Sequence, residues 1–274
     1  MDGHVRMNMG TQFGDLEEGF KIVASFPTLR HLPVIIGEND PEGCAACGVQ
    51  TNPENDYRNG TMYSSYTAAA YARLYELAAQ HHINLEGAVS WSFEFENQPW
   101  FAGFRDLATH GVDKPVLNVF RMLGRMRGPR VTVRNAAPLT IADIRAQAQS
   151  QRADISALAS ADAHSASILV WNYHNDNLPA PAAEVTLTLH GLPANAKRAT
   201  LHHYRIDEQH SNAYTAWRAL GSPQQVTESQ QVALAQAGQL AQLAPPTQLK
   251  LRNGQAELNF TLPRQGVSLV QLSW

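Results

Sequence analysis

The stretch HLPVIIGENDPEGCAAC, residues 31–47, determines how the first half of this chain is interpreted. Residues 33–37 are apolar on both faces, which is typical of a strand buried in a parallel sheet between helices. Glu38 follows at the carboxyl end of that strand, where α/β barrels build their active sites. Its carboxylate can act as a nucleophile or base. The alternative is a structural acid that caps the loop or pairs with an arginine such as Arg58.

Helix and strand patterns alternate on both sides of this stretch, up to about residue 128. Helical spacing of apolar residues runs through GDLEEGFKIVASF (14–26) and GTMYSSYTAAAYARLYELAAQHH (60–82), and LEGAVSWSFEF (85–95) predicts a second strand. Asp113 and Pro115 open a further helix that Gly128 ends. This order indicates repeated β/α units. A closed (β/α)8 TIM barrel needs about 250 residues, so we expect residues 1–128 to form a partial barrel, its last βα units.

Residues 129–274 change to a period of two, which predicts an antiparallel β-sandwich domain. The strand-like segments are RVTVRN (130–135), ASILVWNYH (166–174), EVTLTLHGL (184–192), ATLHHYRID (199–207), LKLRNGQAELNFTL (249–262) and GVSLVQLSW (266–274). Asn253-Gly254 is a two-residue hairpin signal. The Ala/Gln/Ser-rich segments 141–163 and 222–247 are expected to be loop or surface helix. The fold class is therefore α/β plus all-β.

The amino-acid composition narrows the classes of partner that this chain is expected to bind. It has 274 residues, 44% hydrophobic and 16% charged, with a net charge of −3. A globular composition without a basic field argues against nucleic acid as a partner. No apolar run approaches the ~18 residues of a membrane span, and the N-terminal residues do not resemble a signal peptide. A small-molecule or polysaccharide ligand is the default expectation, and the sequence leaves the location unknown, with cytoplasm and periplasm both open.

A second candidate cluster lies at the end of the second predicted strand. Alternation places Glu94 and Glu96 on one side of the chain, near Trp91. Carboxylates accept hydrogen bonds from sugar hydroxyls, and aromatic rings cover the apolar face of a sugar. The alternative is a polar rim beside ordinary core aromatics.

Cys44 and Cys47 form a C-x-x-C motif, which suits a redox pair or half of a zinc site. No second C-x-x-C completes a zinc site, so a short disulfide or two free thiols is the favoured interpretation, and we expect no metal or cofactor. The segment YRIDEQHSNAYTAWRALGSP (204–223) is dense in polar and aromatic residues, which favours a domain interface over a ligand site.

Five segments together resemble bacterial β-xylosidases of glycoside hydrolase family 39. They are VASFPTLRHLPVIIGENDPEGCAAC (23–47), YRNGTMYSSYTAA (57–69), GAVSWSFEFENQPWFAGFRDLATHGVDKPVLNVFRMLGRM (87–126), WNYHND (171–176) and RIDEQHSNAYTAWRALGSP (205–223). The resemblance implies a TIM barrel followed by a β-sandwich, with retaining cleavage of xylose from non-reducing ends of xylo-oligosaccharides or β-xylosides. It implies that Glu38 is the nucleophile and that Trp91 holds the sugar next to it. Glu94 and Glu96 match the family's sugar-binding acids more loosely.

The family's general acid/base stands in an Asn-Glu-Pro context, and this sequence contains no Asn-Glu-Pro. Retaining hydrolysis needs two carboxyl groups about 5–5.5 Å apart. We therefore expect the C-terminal part of such an enzyme, a truncated chain with negligible turnover of its own and possible self-association through the open barrel edge. The alternatives are a non-catalytic carbohydrate-binding or structural module and a C-x-x-C redox or zinc protein.

Overall fold

The structure is a computed structural model that describes residues 5–91, 93–147 and 152–274. Its first part contains three long helices and four short strands. These elements are α1 (Met9–Ala24), β1 (Val34–Ile36), a 3-10 helix (Pro53–Asn59), α2 (Thr61–Gln80), β2 (Leu85–Ala88), β3 (Ala108–Thr109), β4 (Val112–Asp113) and α3 (Pro115–Arg125). The described residues are therefore mixed α/β before residue 126, as the alternating pattern predicts.

The rest of the chain is mainly β-structure with three short helices. Its elements are β5 (Arg130–Val131), α4 (Ile141–Arg145), β6 (Asp154–Ala161), β7 (Ser165–Tyr173), β8 (Ala183–Leu189), β9 (Arg198–Ile206), α5 (Ala213–Ala219), α6 (Glu228–Gly238), β10 (Ala241–Gln242), β11 (Thr247–Lys250), β12 (Ala256–Leu262) and β13 (Val267–Ser273). Seven strands form one sheet in the order β10-β9-β13-β7-β6-β5, with β11 also paired to β9. The β8–β12 pair forms a second layer, and apolar side chains from both layers share one cluster.

β1 and β2 pair in parallel, and this pairing positions the candidate site. Val34 lies opposite Leu85, and the register shifts by one residue before Ile35 meets Gly87. The backbone contact continues past the strand ends, because the Asn39 N–H donates to the Val89 carbonyl over 2.8 Å. The residues that follow both strands are therefore held side by side at one edge of the sheet.

α2 is almost completely buried, and it joins the two parts of the molecule. Its run of alanines favours helix and lets neighbouring elements approach closely. It packs against α1 and α3 on one side and against β6 and β7 of the large sheet on the other. Arg73 on α2 forms an ion pair of 2.6 Å with the buried carboxylate of Asp154 on β6. One core cluster therefore runs from α1 to β13 across residue 128, and the division at 128/129 stays a prediction.

Two predictions about α3 need correction. α3 starts after Lys114 with Pro115 in its first turn, and Asp113 instead pairs with Arg121. That helix ends at Arg125, before Gly128. Gly128 has φ +75°, and a Cβ there would lie 2.1 Å from the Ala161 carbonyl oxygen, so only glycine fits this approach.

Residues 154–161 were expected to be loop or helix, and they form strand β6. Their alanine and serine side chains give weak periodicity, but β6 pairs with β7 along its whole length. The Asn253-Gly254 turn is present, with positive φ at both residues. Its flanking strands then diverge, because β11 pairs with β9 whereas β12 pairs with β8.

None of the described helices combines the length and the apolar character needed to cross a membrane.

Candidate active site

Glu38 lies two residues beyond β1, at the carboxyl end of the strand. Its side chain is 36% exposed, and its Oε1 is in contact with Nη2 of Arg105. The Arg105 side chain is only 1% exposed, so this ion pair joins a buried guanidinium to a partly exposed carboxylate. The arginine partner considered from sequence, Arg58, instead pairs with Glu42 at 2.7 Å.

Asp40 is the buried centre of this cluster. Its Oδ1 accepts hydrogen bonds from the Tyr63 hydroxyl at 2.7 Å and the Ser90 hydroxyl at 2.9 Å. Its Oδ2 accepts from the Trp91 backbone N–H at 2.9 Å and lies 3.8 Å from Nε of Arg105. Asp40 therefore ties the loop after β1 to the segment after β2 and lies within ion-pair distance of the cation that contacts Glu38.

Burial perturbs both charged groups at this centre. Desolvation raises the pKa of Asp40, and the hydrogen bonds from Tyr63, Ser90 and Trp91 oppose that rise. Desolvation also lowers the pKa of Arg105 to about 10. Because that value is well above neutral pH, Arg105 stays protonated and supplies a fixed positive charge beside Glu38.

A cavity of about 590 Å³ opens in front of these groups. Its lining includes Glu38, Asp40, Glu42, Tyr57 and Arg105. Size and polarity suit a small hydrophilic ligand, because carboxylates, a phenol and a guanidinium offer both acceptors and donors. The strand-end carboxylate expected from sequence therefore faces a cavity of the right kind.

The second cluster predicted from sequence does not line this cavity. Trp91 is joined to the site through its backbone N–H, while its ring is 57% exposed. Glu94 accepts a hydrogen bond from the Gly111 N–H at 3.0 Å, and Glu96 is exposed. Their roles as sugar ligands stay predictions.

The cysteine motif forms a disulfide between Cys44 and Cys47. Arg58 holds this ring by donating from Nη1 to the Cys44 carbonyl at 3.0 Å and the Cys47 carbonyl at 2.8 Å. Among the residues that the structure describes, no cluster of three or more His, Cys, Asp or Glu side chains is arranged for a metal ion.

The polar-aromatic segment 204–223 packs against the first half of the chain. The Tyr214 hydroxyl donates to Asp56 at 2.5 Å, and the Thr61 hydroxyl donates to Glu208 at 3.0 Å. A cavity of about 900 Å³ lies beside these contacts. The segment therefore contacts the first half of the chain, and its role as a domain interface stays a prediction.

Sequence reasoning missed Arg105, Asp40 and Tyr63 as members of the site. One signal was available for Arg105, because the pair Arg105-Asp106 interrupts the otherwise apolar run WFAGFRDLA (100–108). Charges inside such a run are normally buried in pairs. Asp106 pairs with the fully buried Lys114, and Arg105 pairs with Glu38.

Comparison with known proteins gives one family and a group of similar structures. The family model described as "Glycosyl hydrolases family 39" matches residues 7–248. No curated protein matches this chain significantly.

Three solved structures, each 17% identical to this chain, illustrate the structural likeness. A monomeric β-xylosidase from Caulobacter crescentus CB15 has a TM-score of 0.71, over 95% of this chain and 49% of its own. A family 39 enzyme from Xanthomonas axonopodis pv. citri has a TM-score of 0.69, over 96% and 48%. A bacterial orthologue of human α-L-iduronidase has a TM-score of 0.76, over 96% and 46%. This chain therefore spans about half the length of these structures, and at such identity the likeness concerns the fold.

Proposed function

This chain belongs to glycosyl hydrolases family 39, and from that premise we propose that it carries the nucleophile side of a retaining glycosidase site. The observation that carries the proposal is the place of Glu38, which follows a parallel strand and faces a cavity beside a buried arginine. We further propose that residues 1–128 correspond to the last units of a TIM barrel and residues 129–274 to the β-sandwich.

In this proposal Glu38 attacks the anomeric carbon of the sugar and forms the glycosyl-enzyme bond. The positive charge of Arg105 orients the carboxylate. Asp40 acts indirectly, because it lies beside Arg105 and accepts a hydrogen bond from the Trp91 backbone N–H. Trp91, Glu94 and Glu96 would hold the sugar ring, with xylose at the non-reducing end of a xylo-oligosaccharide or β-xyloside as the proposed substrate.

A second carboxyl must protonate the leaving oxygen in this reaction. The sequence contains no Asn-Glu-Pro, the context in which the family resemblance places the proton donor. General acid catalysis contributes about 10²–10⁴-fold. We therefore propose that this chain turns over natural xylosides negligibly.

An activated aryl β-xyloside tests the nucleophile without the acid, because a good leaving group hardly needs protonation. We expect no measurable hydrolysis of xylobiose by the 274-residue chain, and at most a trace with the aryl xyloside. Glu38→Gln keeps the shape and removes the charge, so it should abolish that trace. Glu18→Gln, at an exposed acid of α1 outside the cavity lining, is the matched control for nucleophile chemistry. Robust xylobiose turnover that survives Glu38→Gln would contradict the assignment.

A non-catalytic carbohydrate-binding module is the second candidate, and the absence of an Asn-Glu-Pro from the sequence favours it, since binding needs no proton donor. Calorimetric titration with xylotriose separates the two. A binding module should hold the sugar in this form, whereas the proposed half-site should bind it weakly.

A further inference from the structure

The Cys44–Cys47 disulfide lies between solvent and the cluster formed by Glu38, Asp40 and Arg105. Cys44 is exposed and Cys47 is partly exposed, so a reductant can reach the ring. Of the two residues between them, Ala45 is buried and Ala46 is exposed. The ring therefore has one face in water and one face against the protein.

The inward face of the ring contacts the segment that carries Arg105. The Arg105 backbone N–H donates to the Ala45 carbonyl at 2.9 Å, and the Val49 N–H donates to the Ala102 carbonyl at 2.8 Å. A Cβ at Gly48 would lie 2.5 Å from that same Ala102 oxygen, so the two segments are in close contact. The position of Arg105 depends directly on the shape of residues 44–49.

A second set of contacts ties the ring to the cavity wall. Arg58, itself buried, binds the carbonyls of both cysteines and the carboxylate of Glu42, and Asn55 donates to the Cys47 carbonyl at 2.6 Å. Glu42 lines the same cavity as Glu38. The disulfide thus fixes two neighbours of Glu38, one through the Arg105 backbone and one through Arg58.

We propose that Cys44–Cys47 is a thiol–disulfide exchange site through which a dithiol reductant loosens the Glu38–Arg105 cluster. A thiolate of the reductant attacks Sγ of the more exposed Cys44, and the Cys47 thiolate leaves. The second thiol of the reductant then attacks its own half of the mixed disulfide and releases the Cys44 thiolate. The reductant becomes a disulfide, the protein gains two electrons and two protons, and both cysteines end as thiols.

The effect is local. The stabilisation from a disulfide grows with the length of the loop it closes, and here the sequence separation is only 3 residues. None of the hydrophobic core clusters of the described residues contains either cysteine. Reduction should therefore leave the fold intact while the loop 44–49 and the 102–105 segment gain mobility. The proposal rests on the proposed function only in giving Glu38 a catalytic role.

Amide hydrogen exchange of the full chain, oxidised and after treatment with dithiothreitol, tests the proposal, with mass spectrometry reporting the gain of about 2 Da. We expect the peptides that contain the Val49 and Arg105 amides to exchange about tenfold faster after reduction. Peptides from the central strand β13 (Val267–Ser273) should not change. The double variant Cys44→Ser/Cys47→Ser should show the fast pattern from the start and ignore dithiothreitol.

Two results would overturn the proposal. One is a disulfide that dithiothreitol cannot reduce in the folded chain, and the other is complete reduction with unchanged exchange at Val49 and Arg105. If the double variant does not fold, the reduction of the unaltered chain still decides. Amide hydrogen exchange does not depend on turnover. The exchange result can therefore be interpreted even if the glycosidase assignment fails, and the aryl xyloside test can be interpreted even if the disulfide proposal fails.

Discussion

At the scale of single residues, the site is organised by a buried cation between two unequal carboxylates. Arg105 is 1% exposed and Asp40 is 2% exposed, whereas Glu38 is 36% exposed. Breaking a buried pair leaves an uncompensated charge, which typically costs 3–5 kcal/mol. An exposed partner can turn to water and costs far less.

We therefore expect Arg105→Met, which leaves the buried Asp40 without its cation, to lower the free energy of unfolding by about 3–5 kcal/mol. Glu38→Gln should lower it by less, because Arg105 keeps Asp40 nearby and the amide oxygen still accepts a hydrogen bond. Urea unfolding at neutral pH measures both changes. Arg134→Met, at an exposed arginine, controls for the loss of an arginine as such. Equal losses for Arg105→Met and Glu38→Gln would mean that Asp40 does not depend on Arg105.

The place of Glu38 after a parallel strand was predicted from sequence, but the expected burial of that strand was wrong, because Ile35 is 62% exposed and no residue of β1 is buried. The arginine partner of Glu38 was not predicted. Arg105 is 67 residues further along the chain, and only the pairing of β1 with β2 and the contact with Ala45 bring it to Glu38. For Trp91 the place after the second strand was predicted, but the direction of its ring was not. Alternation along a strand cannot predict which way a side chain beyond the strand end points.

At the scale of elements, the predictions succeeded where periodicity was strong. β7, β9 and β13 carry long apolar or alternating runs, and each forms a central strand of the large sheet. β6 was missed because its alanines and serines carry little hydrophobic signal, and its pairing with β7 decides its structure. The 3-10 helix at Pro53–Asn59 has a local cap, since the Asn52 side chain accepts from the Glu54 N–H, whereas its inward-facing Arg58 depends on contacts with the Cys44–Cys47 loop.

One strand carries a pH-dependent contribution to stability. His203 on β9 is 8% exposed, and its Nε2 lies 2.9 Å from the Ser268 hydroxyl, which also accepts from Arg205. Burial and the charge of Arg205 lower the pKa of His203 to about 4. The unfolded chain takes up that proton near pH 6.5, so it binds more protons than the folded chain between pH 4 and 6.5.

The stabilisation is therefore complete above pH 6.5 and is lost as pH falls towards 4, to an extent of roughly 3 kcal/mol at most. His203→Gln retains an acceptor for Ser268 and does not titrate, so its stability should fall less steeply over this range. His202→Gln, the neighbouring position on the opposite face of β9, is the control. Urea unfolding at a series of pH values checks the slopes, and parallel slopes for the wild type and His203→Gln would contradict the argument. Burial also lowers the pKa of His174 to about 4, so His174 contributes to the pH dependence of stability in both the wild type and His203→Gln.

At the scale of the whole molecule, the helical part and the large sheet share one core. Phe13 on α1, Leu74 on α2 and Trp171 on β7 belong to the same buried cluster. The Arg73–Asp154 pair adds a polar link across the same boundary, and Asp154 also accepts from the Trp171 indole N–H. The change in hydrophobic periodicity near residue 128 therefore marks a change from mixed α/β to mainly β structure, but the hydrophobic core continues across it.

The β1–β2 sheet exposes a surface that the rest of the described chain does not cover. Ile35 is 62% exposed although it lies in a strand, and Val89, Trp91 and Phe93 are also exposed around the end of β2. Within residues 5–91, 93–147 and 152–274, no third strand pairs with β1 or β2, so both outer edges keep free backbone groups. Apolar patches and open strand edges of this kind promote association.

We therefore predict that the chain self-associates through the β1–β2 edge. Light scattering at tens of micromolar should give a mass above the 30.1 kDa of one chain. Ile35→Lys places a charge on the exposed strand and should shift the population towards the monomer. Val232→Lys, at a position of α6 that is 65% exposed, alters net charge and surface hydrophobicity equally and should not. A monomer in the unaltered chain, or an equal response to both lysines, would place any association elsewhere, because only the first substitution acts on an unpaired strand.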